Sequence, residues 1–352
     1  MSYNPKYTIN DAIRSNLQEI ERLKDVVLGH RILPEAEASV RLRATVDKVH
    51  SSTSIEGNPL TPSEVRAVIS DEKKLSKEEY AEIEVQNYKH ALDFIAERRN
   101  GNPEITESDV LKLHGIITER LLAKSKAGHF RKGDVYVENQ DHEVLYEAAP
   151  VHTVEQAVSE LLEWANNNRA VVPTAIIAGI LHYELVTIHP FSDGNGRTSR
   201  ALAMLFLAIN DYDCNGALSL DSYYASDKHA YYKILQEVHG RNYTESRSAD
   251  LTPWLAYFTD GFLTSLHILD AELRILDTLA HTAKSSNLSR EDNDILDYVT
   301  RFGSIEIREA EAVLPEMNRR TIQRRLKRLV EAGYLELVGE THDAKYVMKN
   351  ER

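Results

Sequence analysis

The chain has 352 residues, 42% of them hydrophobic, and a net charge of −13. That length predicts two or three domains with ordinary globular cores, and the acidic balance excludes a chain that sheathes nucleic acid throughout. A single cysteine, Cys214, excludes an intramolecular disulfide framework and fits a cytoplasmic protein; residues 1–10 lack a signal-peptide apolar region, and the longest apolar run, 201–209, falls far short of the ~20 residues that span a bilayer. Periodicity predicts helices over 9–28, 34–51 and 76–99, the last with Ser76 as N-cap. Thr106-Glu107-Ser108 reads as the start of a helix over 110–122. Residues 128–150 break the pattern: Val135-Tyr136-Val137 and Val144-Leu145-Tyr146 flank the polar turn Asn139-Gln140-Asp141, which predicts a β-hairpin. Helices resume over 154–166 and 173–186, and the run 201–209, apolar on nearly every side, reads as a buried helix. Further helices continue to 282, one opened by Pro253 and Trp254. The fold class is therefore mainly α.

Lys284-Ser285-Ser286-Asn287 reads as a linker, and beyond it positive and negative residues balance, so the whole acidic excess lies upstream. Helices are predicted over 290–298, 305–314 and 318–332, then strands over 334–338 and 345–348. That order resembles a winged helix. The third helix sets Ile322, Leu326 and Leu329 on one face and Arg320, Arg324, Lys327 and Arg328 on another, as a groove-reading helix needs; a solvated helix in a protein–protein module is the alternative. The expected domains are 1–105, a helical region; 106–282, a core; and 283–352, the winged-helix-like module.

The most informative stretch is His189-Pro190-Phe191-Ser192-Asp193-Gly194-Asn195-Gly196-Arg197-Thr198-Ser199-Arg200, between two apolar helices. Glycines let backbone N–H groups converge, and the next helix turns its positive end to the same point, which predicts an anion hole. His189 beside it suits a general base. Asp193 suits a Mg²⁺ ligand next to a polyphosphate. Arg197 and Arg200 stand in a helix's first turn, where a cation is disfavoured unless an anion is also present. Three other motif readings fail. A dinucleotide fingerprint needs a third glycine where Ser199 stands, an EF-hand loop needs acids where Arg197 and Met204 stand, and His182 and His189 lack zinc-hydrolase spacing.

The stretch resembles the Fic motif, H-P-F-x-[DE]-G-N-G-R-x-x-R, matched at every fixed position. Most members of that family transfer AMP from ATP to a protein hydroxyl. The resemblance implies ATP as substrate, Mg²⁺ as cofactor, and His189 as general base toward a Ser, Thr or Tyr hydroxyl. It implies that Asp193 holds the metal, that Gly194, Asn195 and Gly196 line the anion hole, and that Arg197 and Arg200, with Thr198 and Ser199 between them, contact the phosphates. The hairpin corresponds to the family's flap, with Val135, Tyr136 and Val137 against the nucleotide and its edge offered to a target strand. Tyr231-Tyr232 and His239 resemble the adenine side. Adjacent helical residues point about 100° apart, so one tyrosine faces the nucleotide, and Tyr231 is the expected one. His239 departs from the asparagine common there.

Ser52-Thr53-Ser54-Ile55-Glu56-Gly57 matches the inhibitory pattern [ST]-x-x-x-E-[GN]. The resemblance implies that Glu56 pairs with Arg200 in place of the γ-phosphate, with Ser52 orienting the helix. Expected partners are ATP, a target protein (the chain itself included) and DNA through the C-terminal module, with no membrane; a homodimer stays open. AMP removal, transfer of another nucleotide and a nucleotide-sensing DNA-binding regulator are the alternative functions.

Overall fold

A computed structural model describes residues 3–30, 34–70, 80–138, 143–285, 288–339 and 345–349. Predicted features at Ser76, Asn139 to Asp141, Ser286 and Asn287 lie outside the described residues. The chain is mainly helical. It divides into two units, one of residues 1–29 and 38–267, the other of 30–37 and 268–352. Among the described residues no helix is long and apolar enough to cross a membrane.

The first four helices are α1 (Asp11–Gly29), α2 (Pro34–Ile55), α3 (Pro62–Ile69) and α4 (Tyr80–Arg98), followed by α5 (Glu107–Ile117). Helix α3 was not anticipated, although Thr61 and Glu64 form a capping box and Pro62 opens its first turn. The start of α5 is the expected one: Thr106 caps it reciprocally with Asp109. It stops at Ile117 rather than 122, and Arg120 turns left-handed at φ 63° in the following loop. The hairpin follows as β1 (Tyr136–Glu138) and β2 (Val144–Glu147), antiparallel, with Val137 opposite Tyr146.

Helices α6 (Val154–Asn167), α7 (Thr174–Ile188) and α8 (Asn195–Ile209) come next. Helices α7 and α8 are buried along nearly their whole lengths and pack on each other. A helix apolar on every side has no solvent face to offer, so neighbours must cover it all round. Helices α4 and α5 pack on α8, and α6 packs on α7. The unit continues through α9 (Asp221–Ser226), α10 (Lys228–His239), α11 (Tyr243–Ser248) and the first part of α12 (Thr252–Ser285). Gly179 lets α12 approach α7: a Cβ there would lie 2.9 Å from Leu255 Cδ2, and the Trp254 indole donates to the Gly179 carbonyl at 2.8 Å.

The second unit contains α13 (Arg290–Phe302), α14 (Ile307–Val313), α15 (Arg319–Glu331), β3 (Leu335–Val338) and β4 (Lys345–Met348). Ile295, Leu296 and Val299 of α13 meet Ile322, Leu326 and Leu329 of α15 in its core. Strands β3 and β4 pair antiparallel, and Ile305 bridges to Tyr346 between α13 and α14.

Candidate active site

The twelve-residue stretch is a corner between α7 and α8. His189 caps α7 at φ 52°, its N–H still donating to the Leu185 carbonyl, and Pro190 cannot extend the helix. The left-handed turn is unfavourable for a non-glycine residue by roughly 1–2 kcal/mol. Its side chain then bonds at close range: Nδ1 lies 3.1 Å from the Val186 carbonyl. A carbonyl only accepts, so Nδ1 carries the proton and Nε2 keeps its lone pair. Burial lowers the imidazole pKa, opposed by the Val186 bond and favoured by Arg131, so the neutral base is the stable form.

Asn195 pins the loop from inside. Its amide accepts from the Phe191 N–H at 2.9 Å and donates to the Phe191 carbonyl at 3.0 Å. Gly194 caps α8 at φ 76°, and no side chain caps that helix. A Cβ at Gly194 would lie 2.9 Å from Thr118 Cγ2, and one at Gly196 would lie 2.5 Å from Glu56 Oε1. Gly194 is required by its left-handed backbone together with the close approach, whereas at Gly196 the neighbour is the tip of the Glu56 side chain. The hydroxyls of Thr198 and Ser199 bond back to the carbonyls of Gly194 and Asn195, at 2.7 and 2.8 Å, and both residues are fully buried. Their side chains belong to the packing of α8 rather than to its open end.

Both arginines are engaged by carboxylates of this chain. Arg200 Nη2 lies 2.9 Å from Glu56 Oε1 and 3.0 Å from the Ser52 carbonyl, while its Nε meets Ser52 Oγ at 2.9 Å and Asp221 at 3.1 Å. Burial works against this charge, and Glu56, Tyr231 and Asp221 outweigh it, holding the guanidinium protonated. Arg197 Nη1 donates to Glu84 of α4, and its Nη2 is 3.6 Å from Asp193. The anion that a first-turn cation needs is therefore supplied from within the protein. Glu56 sits just past α2, where Gly57 turns at φ 94°. Lys228 and Tyr232 donate to the last carbonyls there, those of Ser54 and Ile55.

Three further residues brace the corner and carry no local signal in the sequence. His114 of α5 stacks on Phe191 with ring centroids 3.7 Å apart. Its Nδ1 accepts from the Gly128 N–H at 2.9 Å, so its Nε2 donates to the Asp193 carbonyl at 3.1 Å; burial lowers its pKa to about 4. Arg131 donates to the carbonyls of His189, Gly133 and Ala149, tying the base of the hairpin to the loop. Asp221 comes from α9, and only the folded chain sets it beside Arg200.

The hairpin and the tyrosine pair complete the surroundings. Val135 and Val137 are half-buried and Tyr136 is exposed. The Tyr146 hydroxyl donates to the Thr187 carbonyl, and its ring lies 4.3 Å from that of His239. His239 thus braces the hairpin, with Nδ1 on the Gly240 carbonyl at 2.7 Å. The tyrosines diverge as helical spacing requires, but Tyr231 is the core member, 1% exposed and bonded to His182 at 2.9 Å. Tyr232, 41% exposed, is the one at the surface.

Among the described residues no group of three or more His, Cys, Asp or Glu side chains could hold a metal. The Asp193 carboxylate is half exposed. One accessible hard oxygen ligand, without a protein cage, fits Mg²⁺ arriving with a polyphosphate that supplies the remaining ligands.

Residues 104–207 match the Fic/DOC family. The chain is 31% identical over 166 residues to protein adenylyltransferase fic-1 of Caenorhabditis briggsae, covering 45% of this chain and 31% of that one. It is 26% identical over 226 residues to protein adenylyltransferase Fic of Aedes aegypti, covering 62% and 40%. The chain thus spans less than half the length of these curated relatives. A Fic family protein from Desulfovibrio desulfuricans G20 shares the fold at a TM-score of 0.64 and 22% identity, over 99% of this chain and 100% of that one. Fic-1 of C. elegans (residues 134–508) does so at 0.57 and 22%, over 77% and 73%.

Proposed function

This chain carries a Fic/DOC domain over residues 104–207, and from that premise we propose that it is a protein adenylyltransferase restrained by its own Glu56. The observation that carries the reading is the placement of two groups on one corner. His189 keeps Nε2 free as a base, and Arg200 is occupied by a carboxylate 2.9 Å away.

His189 Nε2 accepts the proton of a Ser, Thr or Tyr hydroxyl on the target. The hydroxyl oxygen attacks the α-phosphorus of ATP, the bond to the β-phosphate bridge breaks, and pyrophosphate leaves with its electron pair. The Gly194, Asn195 and Gly196 backbone lines the phosphate site, and Arg197 and Arg200 neutralise the departing charge. Asp193 would hold Mg²⁺, which supplies further neutralisation of the phosphates. Tyr232, rather than Tyr231, is the tyrosine proposed for the adenine side, and β1 offers its edge to the target segment. With Glu56 on Arg200, the γ-phosphate lacks its partner and ATP settles in an unreactive pose.

Intact-mass measurement after incubation with ATP and Mg²⁺ tests this, in the wild type and in Glu56→Gly, with an added protein acceptor. A gain equal to AMP, dependent on His189, supports it; ATP binding without transfer in Glu56→Gly refutes it.

A second reading concerns the C-terminal unit, which we propose to be a winged helix that binds duplex DNA. Arg320 and Arg324 are exposed on α15 and have no acidic partner among the described residues, and the single β-bridge from Ile305 to Tyr346 joins the hairpin to the segment between α13 and α14.

A further inference from the structure

Glu84 was not anticipated as part of this site, yet it connects the two halves of it. It lies on α4, is 5% exposed, and receives Arg197 Nη1 on Oε1. Its other oxygen, Oε2, accepts from Asn58 Nδ2 at 2.7 Å. Asn58 is the second residue after Glu56, on the same turn. Its backbone N–H and both polar atoms of its side chain are held. Its N–H donates to the Thr53 carbonyl at 3.1 Å, Nδ2 also donates to the Ala81 carbonyl at 3.0 Å, and Oδ1 accepts from the Leu60 N–H at 3.1 Å. A continuous path therefore runs from Glu56 on Arg200, through Asn58, to Glu84 on Arg197.

We propose that Glu84 is the positioning residue of Arg197, and that Asn58 latches the Glu56-bearing turn to it. This rests on the adenylyltransferase reading. Arg197 needs an anchor because its side chain is 4% exposed and its Nε has no partner among the described residues. With Nη1 held by Glu84, Nη2 stays directed to the Asp193 side, where a phosphate would arrive. The same carboxylate fixes the turn. Glu56 is kept on Arg200 by its own ion pair and by a latch on the neighbouring arginine's anchor. Moving the Glu56-bearing turn away from Arg200 thus pulls on Asn58, while Arg197 stays on Glu84.

The two roles separate by mutation. Hydrogen bonds to charged groups shift an equilibrium by about tenfold or more. In otherwise wild-type protein, Asn58→Ala is expected to raise AMP transfer about tenfold, short of the Glu56→Gly effect. In the Glu56→Gly background, Asn58→Ala is expected to add nothing, since the restrained group is gone. Glu84→Gln in that background is expected to raise KM for ATP several-fold with a smaller change in kcat, because Gln keeps at most a neutral hydrogen bond to Arg197 and loses the ion pair. Hydrogen exchange without nucleotide supplies a readout besides activity: amides of residues 53–60 should exchange faster in Asn58→Ala, while α7 and α8 keep their protection and so report an intact fold. Unchanged exchange at 53–60, or equal gains from Asn58→Ala with and without Glu56, overturns the latch. An unchanged KM in Glu84→Gln overturns the positioning role. Glu56→Gly protein that transfers nothing refutes the underlying reading instead, and the exchange experiment still decides the latch.

Discussion

Glu56 Oε1 lies 2.9 Å from Arg200 Nη2, and the same oxygen lies 2.5 Å from where a Cβ on Gly196 would stand. The carboxylate thus lies over the first turn of α8 as well as on the arginine. An ion pair with one partner buried and the other partly exposed, 29% for Glu56, is strong enough to hold and open enough to be displaced. We expect Glu56→Gly to raise AMP transfer by roughly 100- to 1,000-fold, the effect of a coupling of a few kcal/mol. Labelled-ATP transfer to protein measures it, and equal activity in the two proteins removes the brake.

His189→Ala should abolish transfer while leaving ATP affinity within a few-fold, as expected for a group that acts on the target hydroxyl. Comparing nucleotide binding by calorimetry with transfer separates the two effects. A variant that retains transfer contradicts the assigned base.

The pH dependence of transfer follows from the burial of His189. Its pKa is lowered, so the neutral form persists at pH values where an exposed histidine, near 6.5, is already charged. The acidic limb of kcat/KM in Glu56→Gly should therefore fall below pH 6.5. A limb at or above that value counts against burial of the ring.

Stability should fall in acid for a related reason. His114 has a folded pKa of about 4 against roughly 6.5 unfolded. The unfolded chain binds the proton more readily, so this contribution is complete above pH 6.5 and is lost as pH drops toward 4. His182, buried and lowered likewise, acts with the same sign. Thermal unfolding between pH 7 and 4 should show a shallower decline for His114→Gln than for the wild type.

Gly194→Ala places a Cβ 2.9 Å from Thr118 Cγ2 at a residue with φ 76°. The combination should cost about 1–3 kcal/mol in urea unfolding and depress transfer as well. Gly303→Ala is a useful contrast: also left-handed, at φ 76°, but with open space around it, it should cost less.

Arg320→Ala and Arg324→Ala should each weaken binding of a mixed-sequence duplex and lower the salt slope by about one. Fluorescence anisotropy between 50 and 200 mM salt reads both. Slopes equal to wild type exclude a phosphate contact at these positions.

Several features could be read without coordinates, because local chemistry sets them. Helix α7 and the 201–209 run of α8 are apolar on nearly every side, Pro190 must end a helix, Thr106 with Asp109 must cap one, and the alternation about Tyr136 and Tyr146 makes paired strands. The capping box at Thr61 is equally local, and its helix of eight residues is too short to show a full amphipathic period-3.6 pattern. The site is different. Glu84, His114, Arg131 and Asp221 reach it from separate elements, and nothing in their neighbourhoods along the chain marks them. Which tyrosine is buried was likewise decided by packing against His182, since helical spacing shows that Tyr231 and Tyr232 diverge but not which way the helix is turned. Residue order sufficed wherever the relevant partner was within a few positions. Apart from Glu56 with Arg200, which a motif marks, a buried charge found its counter-charge across the core only in the tertiary structure, because long-range electrostatics leaves no periodicity in a sequence.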